Sequence, residues 1–149
     1  MSPDSKGRIL VVDDEEGVKD LLCIMLRRCG YETEGALSGE EALEKFRSKP
    51  ADVVLLDVRL PGLVGIELLR ALKETDPQVL VIVMTAFSTW STAVEAMRLG
   101  AYNYIKKPFD NEAIKEMVGR AIEQARRLTE IEEAPTRRGS ALAKPKPRE

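Results

Sequence analysis

The chain has 149 residues, of which 44% are hydrophobic and 32% charged, and its formal net charge is −2. This length predicts one domain with its own core, and the charge excludes the strongly basic surface typical of nucleic-acid-binding domains. No stretch approaches the roughly 18 consecutive apolar residues of a membrane span, and the N-terminal MSPDSKGR lacks the apolar core of a signal peptide. We therefore expect a cytoplasmic protein.

The first half of the chain predicts two strand–helix pairs. RILVV, over 8–12, is an apolar run that ends in acids and predicts a buried strand. Residues 16–29 carry apolar side chains at helical spacing, and 31–37 predict a second strand. Ser38 and Glu41 have the spacing of a capping box, which opens a helix over 38–48.

The second half predicts three more pairs. The predicted strands cover 51–57, 79–86 and 101–106, and the predicted helices cover 65–75, 88–99 and a last helix from Asp110 to Ala134. Five strand–helix pairs indicate a doubly wound parallel sheet with helices on both faces. The second and fifth strands are the least apolar, which places them at the edges of the sheet.

Two cysteines, Cys23 and Cys29, lie six residues apart on one predicted helix. Steps of about 100° per residue put them on different faces, so no disulfide is expected between them. The chain has no histidine to complete a metal site with them. We expect two reduced thiols.

Five polar side chains follow the predicted strands at their carboxyl ends, where open parallel sheets bind ligands. They are Asp13, Asp14, Asp57, Thr85 and Lys107. Clustered carboxylates stay ionised when a cation neutralises them, and oxygen ligands without histidine or thiolate favour Mg²⁺. An ammonium and a hydroxyl beside that cation make a clamp for a phosphoryl group. The central carboxylate, Asp57, is the candidate nucleophile that forms an acyl phosphate. Taken singly, each of these residues also has an ordinary structural explanation, such as helix capping by the aspartate pair.

Four stretches of the chain, VVDDEE, VVLLDVRLPGLVGIELL, VIVMTAF and YNYIKKPF, resemble the motifs of response-regulator receiver domains of two-component signalling. The resemblance covers about residues 7–127. It implies the flavodoxin-like (βα)5 fold with strand order 2-1-3-4-5. The stretch from TAF to KKPFD is most similar to receivers of sigma-54-dependent activators of the nitrogen-regulation and dicarboxylate-transport type.

The resemblance assigns the phosphoryl-transfer roles residue by residue. It implies that Asp57 is the phosphoacceptor and that Asp14, Asp57 and the backbone carbonyl of Arg59 ligate Mg²⁺, or Mn²⁺ in its place. Asp13 would act through a water, and Lys107 would contact the phosphoryl oxygens.

A second group of residues is implied to act in switching and tuning. Thr85 would bond the phosphoryl group and reposition on activation, and Tyr104 would then swing inward. The peptide bond before Pro108 is usually cis in the family. Arg59 and Phe87, two residues beyond Asp57 and Thr85, would flank the route of the hydrolytic water and set the lifetime of the acyl phosphate.

The implied function is a response regulator that takes a phosphoryl group from a sensor histidine kinase and catalyses only its own phosphotransfer and autodephosphorylation. The surface of the fourth helix, fifth strand and fifth helix would change, controlling a downstream output protein or domain, for example in transcription. A homodimer through that surface or through the last helix is a further expectation.

The last helix and the tail set the predicted domain limits. Apolar residues in the last helix follow coiled-coil spacing, at Ile114, Val118, Ala121, Ala125 and Leu128. This pattern fits either a dimerising linker or a helix packed on its own sheet. We predict an N-terminal extension over 1–6, a receiver over 7–127, a helical extension over 128–134 and a disordered, basic, proline-rich tail over 135–149. Without a GxxxxGK[ST] loop or a DNA-reading helix pair, direct DNA binding is not expected, and the chain is either standalone or excised from a longer regulator.

Other classes of protein remain as alternatives. A Mg²⁺-dependent aspartyl-phosphate phosphatase of the haloacid dehalogenase type would carry a DxD motif after the first strand, where this chain has adjacent aspartates. A flavin-binding protein would need a phosphate-cradling loop there, and Asp13 and Asp14 would repel a phosphate. A receiver that is never phosphorylated is disfavoured because no site position is missing.

Overall fold

The computed structural model describes residues 6–57, 65–85 and 90–133, with the side chains in these ranges other than those of 90–93 and 128–133. Within these ranges five strands alternate with five helices. The strands are β1 (Arg8–Val12), β2 (Glu32–Ala36), β3 (Val53–Asp57), β4 (Leu80–Thr85) and β5 (Asn103–Lys106). The helices are α1 (Glu16–Arg28), α2 (Gly39–Ser48), α3 (Gly65–Thr75), α4 (Trp90–Arg98) and α5 (Asn111–Glu133). The predicted alternation is confirmed, and the differences lie at the ends of elements.

The strands form one parallel sheet in the order β2-β1-β3-β4-β5, as predicted. Every residue of β1, β3 and β4 is buried, because these strands have neighbours on both sides and helices on both faces. The edge strands β2 and β5 are partly exposed, which explains their lower apolar content. The predicted edge positions of β2 and β5 are therefore confirmed, and the order of the strands between them is the one that the resemblance implied.

The helices divide between the two faces of the sheet. One core cluster joins the sheet to α2, α3 and α4 through residues such as Phe46, Leu69 and Ala96. The other joins it to α1 and α5 through residues such as Leu26 and Val118. Because side chains alternate along each strand, successive strand residues feed one cluster and then the other.

A polar cap fixes the start of α2. Ser38 Oγ accepts a hydrogen bond from the Glu41 backbone N–H at 3.2 Å, as the predicted capping box requires. The Glu41 carboxylate accepts from the backbone N–H of Leu37 at 2.9 Å, one residue before the capping serine. The first bond satisfies a backbone donor that the helix start would otherwise leave without a partner, and the second ties the residue before the cap to the first turn.

The outer side of β2 is occupied by side chains from the neighbouring helices. Arg27 donates to the carbonyl of Thr33 at 3.2 Å, and Lys45 Nζ donates to the carbonyl of Gly35 at 2.6 Å. From the inner side, the buried Arg8 pairs with Glu32 at 3.0 Å and also with Glu34. This network ties the edge strand to β1 and to both flanking helices.

The apolar stripe of α5 is used by the core of the chain itself. Ile114, Val118 and Ala121 are fully buried, and Ala125 packs against the same cluster. The three fully buried positions are therefore not available to a second copy, and Ala125 is partly covered by the chain's own core. Leu128, the last position of the stripe, has its side chain outside the described residues.

Two further expectations concern membranes and cysteines. Across the described parts of the chain, no helix has the length and apolar character that crossing a membrane requires. Cys23 and Cys29 are both free thiols, and Cys23 is buried in α1.

Candidate phosphoacceptor site

Four of the five predicted site residues are placed directly by the sheet. Asp57 and Thr85 are the last residues of β3 and β4. Asp13 and Lys107 each stand one residue beyond a strand, and their backbone N–H groups continue the ladder by donating to the carbonyls of Ala36 and Thr85, at 3.1 and 2.8 Å. The rigid, fully buried centre of the sheet therefore holds these side chains at one edge.

Three carboxylates meet at this edge. Asp13, Asp14 and Asp57 each offer an oxygen within 4.8 Å of the others. Asp13 is fully buried, Asp57 is 6% exposed and Asp14 is exposed. Charges this close, two of them poorly solvated, repel one another, so the cluster is stabilised by a nearby cation.

The ammonium of Lys107 neutralises part of the negative charge of this cluster. Its Nζ lies 2.6 Å from Asp13 Oδ2 and 3.1 Å from Asp57 Oδ2. Burial lowers the pKa of Lys107, but its hydrogen bonds to Asp13 and Asp57 outweigh burial and leave the pKa above the usual value. The ammonium therefore stays charged beside the Asp57 carboxylate at neutral pH.

The donor set suits a hard divalent cation. Among the described residues, three carboxylates face the single ammonium of Lys107, which gives this group a net negative charge, and all the grouped carboxylate atoms are oxygens. Carboxylate oxygens are the ligands of Mg²⁺ and Mn²⁺, whereas softer metals favour sulfur or imidazole. Asp13, Asp14 and Asp57 fit the predicted metal site by composition and proximity.

Thr85 and Tyr104 lie on the opposite face of the sheet from Asp57. Side chains two residues apart on a strand share a face, so Asp57 lies on the same face as Leu55, which packs against α1 and α5. By the same rule, Thr85 lies on the same face as Val83, which belongs to the core cluster beneath α4. Tyr104 is the register partner of Val83 and packs against that same cluster, half-buried. The two predicted switch residues therefore share one face, next to each other in the sheet.

Two predicted residues fall elsewhere, and one was missed. Arg59 and Phe87 lie outside the described residues. The peptide bond between Lys107 and Pro108 is cis, as the resemblance implied. Sequence reasoning passed over Glu15, whose carboxylate lies 3.5 Å from Lys107 Nζ. The available signal was a third acidic residue directly after the aspartate pair in VVDDEE.

A largely apolar cavity of about 390 Å³ adjoins this group of charges. It lies between α1 and the start of α5, and Lys107 forms part of its wall. Its lining residues are Glu15, Val18, Leu21, Lys107, Pro108, Phe109 and Asn111. The cavity therefore lies beside two of the charged residues of this group, Glu15 and Lys107.

Comparison with known proteins identifies the arrangement. Residues 9–119 match the family of response regulator receiver domains. The chain belongs to this receiver family. Receiver domains are phosphoacceptor signalling domains that act with histidine kinases and output domains, and they bind Mg²⁺ through an acidic pocket. The resemblance predicted from the four motifs is therefore confirmed.

Two curated relatives show how much of a protein this receiver represents. It is 41% identical over 117 residues to the regulatory protein AtoC of Escherichia coli, covering 78% of this chain and 25% of AtoC. It is 39% identical over 111 residues to sporulation initiation phosphotransferase F of Bacillus subtilis, covering 74% of this chain and 90% of that protein. The receiver thus spans about a quarter of one relative and nearly all of the other.

A solved structure supports the same fold. NtrX from Brucella abortus superposes with a TM-score of 0.82 at 34% identity, covering 92% of this chain and 32% of NtrX. The isolated receiver domain of NtrX gives a TM-score of 0.73 at 37% identity, covering 77% of this chain and 98% of that domain.

Proposed function

We propose that this receiver accepts a phosphoryl group onto Asp57 from the phosphohistidine of a sensor histidine kinase, with Mg²⁺ as cofactor. The observation that carries the proposal is the Lys107 ammonium, held 3.1 Å from the Asp57 carboxylate beside two further carboxylates. A nucleophilic carboxylate, a fixed cation and a cation-binding cluster are the parts that in-line phosphoryl transfer requires.

The transfer needs few protein groups. A carboxylate oxygen of Asp57 attacks phosphorus as the bond to the histidine nitrogen breaks, and the imidazole leaves with a proton. Lys107 neutralises the transferring oxygens, and the hydroxyl of Thr85 donates to one of them. Asp13, Asp14, Asp57 and the carbonyl of Arg59 would hold Mg²⁺, or Mn²⁺, which supplies charge neutralisation when bound. Water later cleaves the acyl phosphate and restores Asp57, at a rate that Arg59 and Phe87 tune.

Switching follows from the placement of Thr85. A phosphoryl group on Asp57 draws the Thr85 hydroxyl toward it and vacates space on the face beneath α4. Tyr104, beside Thr85 on that face, moves into this space. The population of the chain then shifts toward a state with a changed α4–β5–α5 surface.

That surface is where we place the output. It would bind a downstream output protein or domain, with transcription as the regulated process, or a second copy of the receiver. The relative AtoC, which is named as a regulatory protein, supports this assignment. The helix beyond the core-packed part of α5 is a second route to a dimer. The same proposal includes the predicted domain limits, which are an N-terminal extension that ends at residue 6, a receiver that ends at 127 and a helical extension that ends at 134. It also includes a cytoplasmic location and the lack of direct DNA binding by this chain.

The test is intact mass after incubation with acetyl phosphate or phosphoramidate, with and without Mg²⁺. We expect a Mg²⁺-dependent gain of about 80 Da, one HPO₃ unit, that is lost in Asp57→Asn. Asp20→Asn, the same change on the exposed surface of α1, is the matched control and should keep the gain. The same samples on a sizing column report on dimerisation.

A gain that survives in Asp57→Asn would place the acceptor elsewhere and refute the proposal. A gain that does not require Mg²⁺ would remove the metal from it. If neither small donor reacts, a phosphorylated histidine kinase is the next donor, and failure with that donor refutes phosphoacceptor function.

A further inference from the structure

Glu15 stands where a helix-capping residue is normally found. It is the residue before α1, it has extended backbone angles, and its side chain makes no capping hydrogen bond. Short polar side chains are preferred at this position because they reach back to the free N–H groups of the first turn. Glu15 instead donates its backbone N–H to Asp13 Oδ1 at 2.9 Å and directs its carboxylate to Lys107. The start of α1 therefore lacks a side-chain cap, and the side chain of Glu15 contacts Lys107 of the phosphoacceptor site instead.

The contact adds a third carboxylate to Lys107. The ammonium lies 2.6 Å from Asp13, 3.1 Å from Asp57 and 3.5 Å from Glu15. The Glu15 side chain is 67% exposed, whereas those of the two aspartates are nearly buried. Glu15 therefore attracts Lys107 from the solvent side and competes with Asp57 for it. It also brings one more negative charge to the wall of the cavity that leads to Lys107.

We propose that Glu15 is a positioning residue that selects among phosphoryl donors by the charge of their leaving group. The inference rests on the proposed phosphoryl transfer to Asp57. An acyl phosphate donor breaks a P–O bond and releases a carboxylate anion, whose developing charge Glu15 repels. An N-phosphoryl donor breaks a P–N bond and, with a proton, releases a neutral amine or imidazole, which Glu15 tolerates. Glu15 thus favours phosphohistidine over small acyl phosphates.

The test compares Glu15→Gln with Glu16→Gln, which makes the same charge change at the first residue of α1. Glu16 lies in the first turn and interacts with Lys19. Rate constants for phosphorylation of the full chain are measured with acetyl phosphate and with phosphoramidate. We expect Glu15→Gln to react about fivefold faster with acetyl phosphate, the effect of about 1 kcal/mol from an exposed charge pair, and to change much less with phosphoramidate.

Salt and a conservative variant sharpen the comparison. In 1 M salt, where screening acts over about 3 Å, the advantage of Glu15→Gln should largely disappear. Glu15→Asp keeps the charge and should keep the donor ratio of the wild type. The same donor ratio in Glu15→Gln and Glu16→Gln would overturn the inference.

A second readout needs no phosphorylation. In a chain with isotope-labelled lysine, without Mg²⁺ or donor, the side-chain resonances of Lys107 should shift in Glu15→Gln and stay unchanged in Glu16→Gln. Unmoved Lys107 resonances in Glu15→Gln overturn the inference whatever the kinetics show. A wild type that reacts with neither small donor nor a phosphorylated kinase overturns the proposed function even where those resonances move.

Discussion

Neutralising Asp57, the proposed phosphoacceptor, should stabilise the fold, although it abolishes the proposed function. At a separation of 4.8 Å and an effective dielectric constant of about 20, each carboxylate pair repels by about 3.5 kcal/mol. Asp57 takes part in two such pairs, with Asp13 and Asp14, for about 7 kcal/mol of repulsion. Its attraction to Lys107 at 3.1 Å is about 5 kcal/mol on the same scale. The repulsion exceeds the attraction, so removing the negative charge of Asp57 should stabilise the fold.

Two corrections leave the sign unchanged. Solvent screens the exposed Asp14 and weakens its repulsion, whereas burial of Asp57 adds a desolvation cost that an amide largely avoids. We therefore expect Asp57→Asn to raise the free energy of unfolding by about 1–2 kcal/mol at neutral pH without divalent cations.

Urea unfolding followed by circular dichroism measures this change. The Asp20→Asn control, which alters an ion pair on the surface of α1, should stay within about 0.5 kcal/mol of the wild type. Adding Mg²⁺ should stabilise the wild type more than Asp57→Asn, because the variant has lost a ligand. If Asp57→Asn is less stable than the wild type without Mg²⁺, the net repulsion inferred among the described carboxylates of this site does not exist.

Three further predictions concern the scaffold. Ser38→Ala removes the cap of α2 and should cost about 1 kcal/mol in urea unfolding. The backbone N–H of Leu37 and the ammonium of Lys45 lower the pKa of Glu41 from its usual 4.5, so the carboxylate stabilises the fold above that pH. The stability gap between wild type and Glu41→Gln should therefore be present at pH 7 and narrow as the pH falls below 4.5; a gap that widens in acid would contradict this. Phe46→Ala empties a fully buried position and should cost about 3–5 kcal/mol, whereas Ala at the exposed Met97 should cost less than about 0.5 kcal/mol in the same assay.

The sequence predicts those features that depend on local pattern. β1 has its predicted bounds because an apolar run stops at charged residues, and the edge positions of β2 and β5 follow from their lower apolar content. β3 begins two residues later than predicted, at Val53. At Asp52 the side chain accepts the backbone N–H of Arg8 at 2.9 Å, a contact between distant parts of the chain.

Long-range contacts explain the other features that the sequence did not predict. The approach of Glu15 to Lys107 joins residues from opposite ends of the domain, and no local pattern carries that information. The apolar spacing in α5 predicts that one face of the helix is apolar, but it does not predict which surface packs against that face. The structure shows that the partner through Ala125 is the core of the same chain.

The occupied outer side of β2 has a consequence for assembly. An exposed edge strand offers backbone groups to strands of other molecules and so invites aggregation by sheet extension. Here Arg27 and Lys45 already hold the carbonyls of Thr33 and Gly35. An incoming strand would have to displace both cations to add itself to this edge. These two contacts therefore protect the β2 edge of the sheet against pairing with a strand of another molecule.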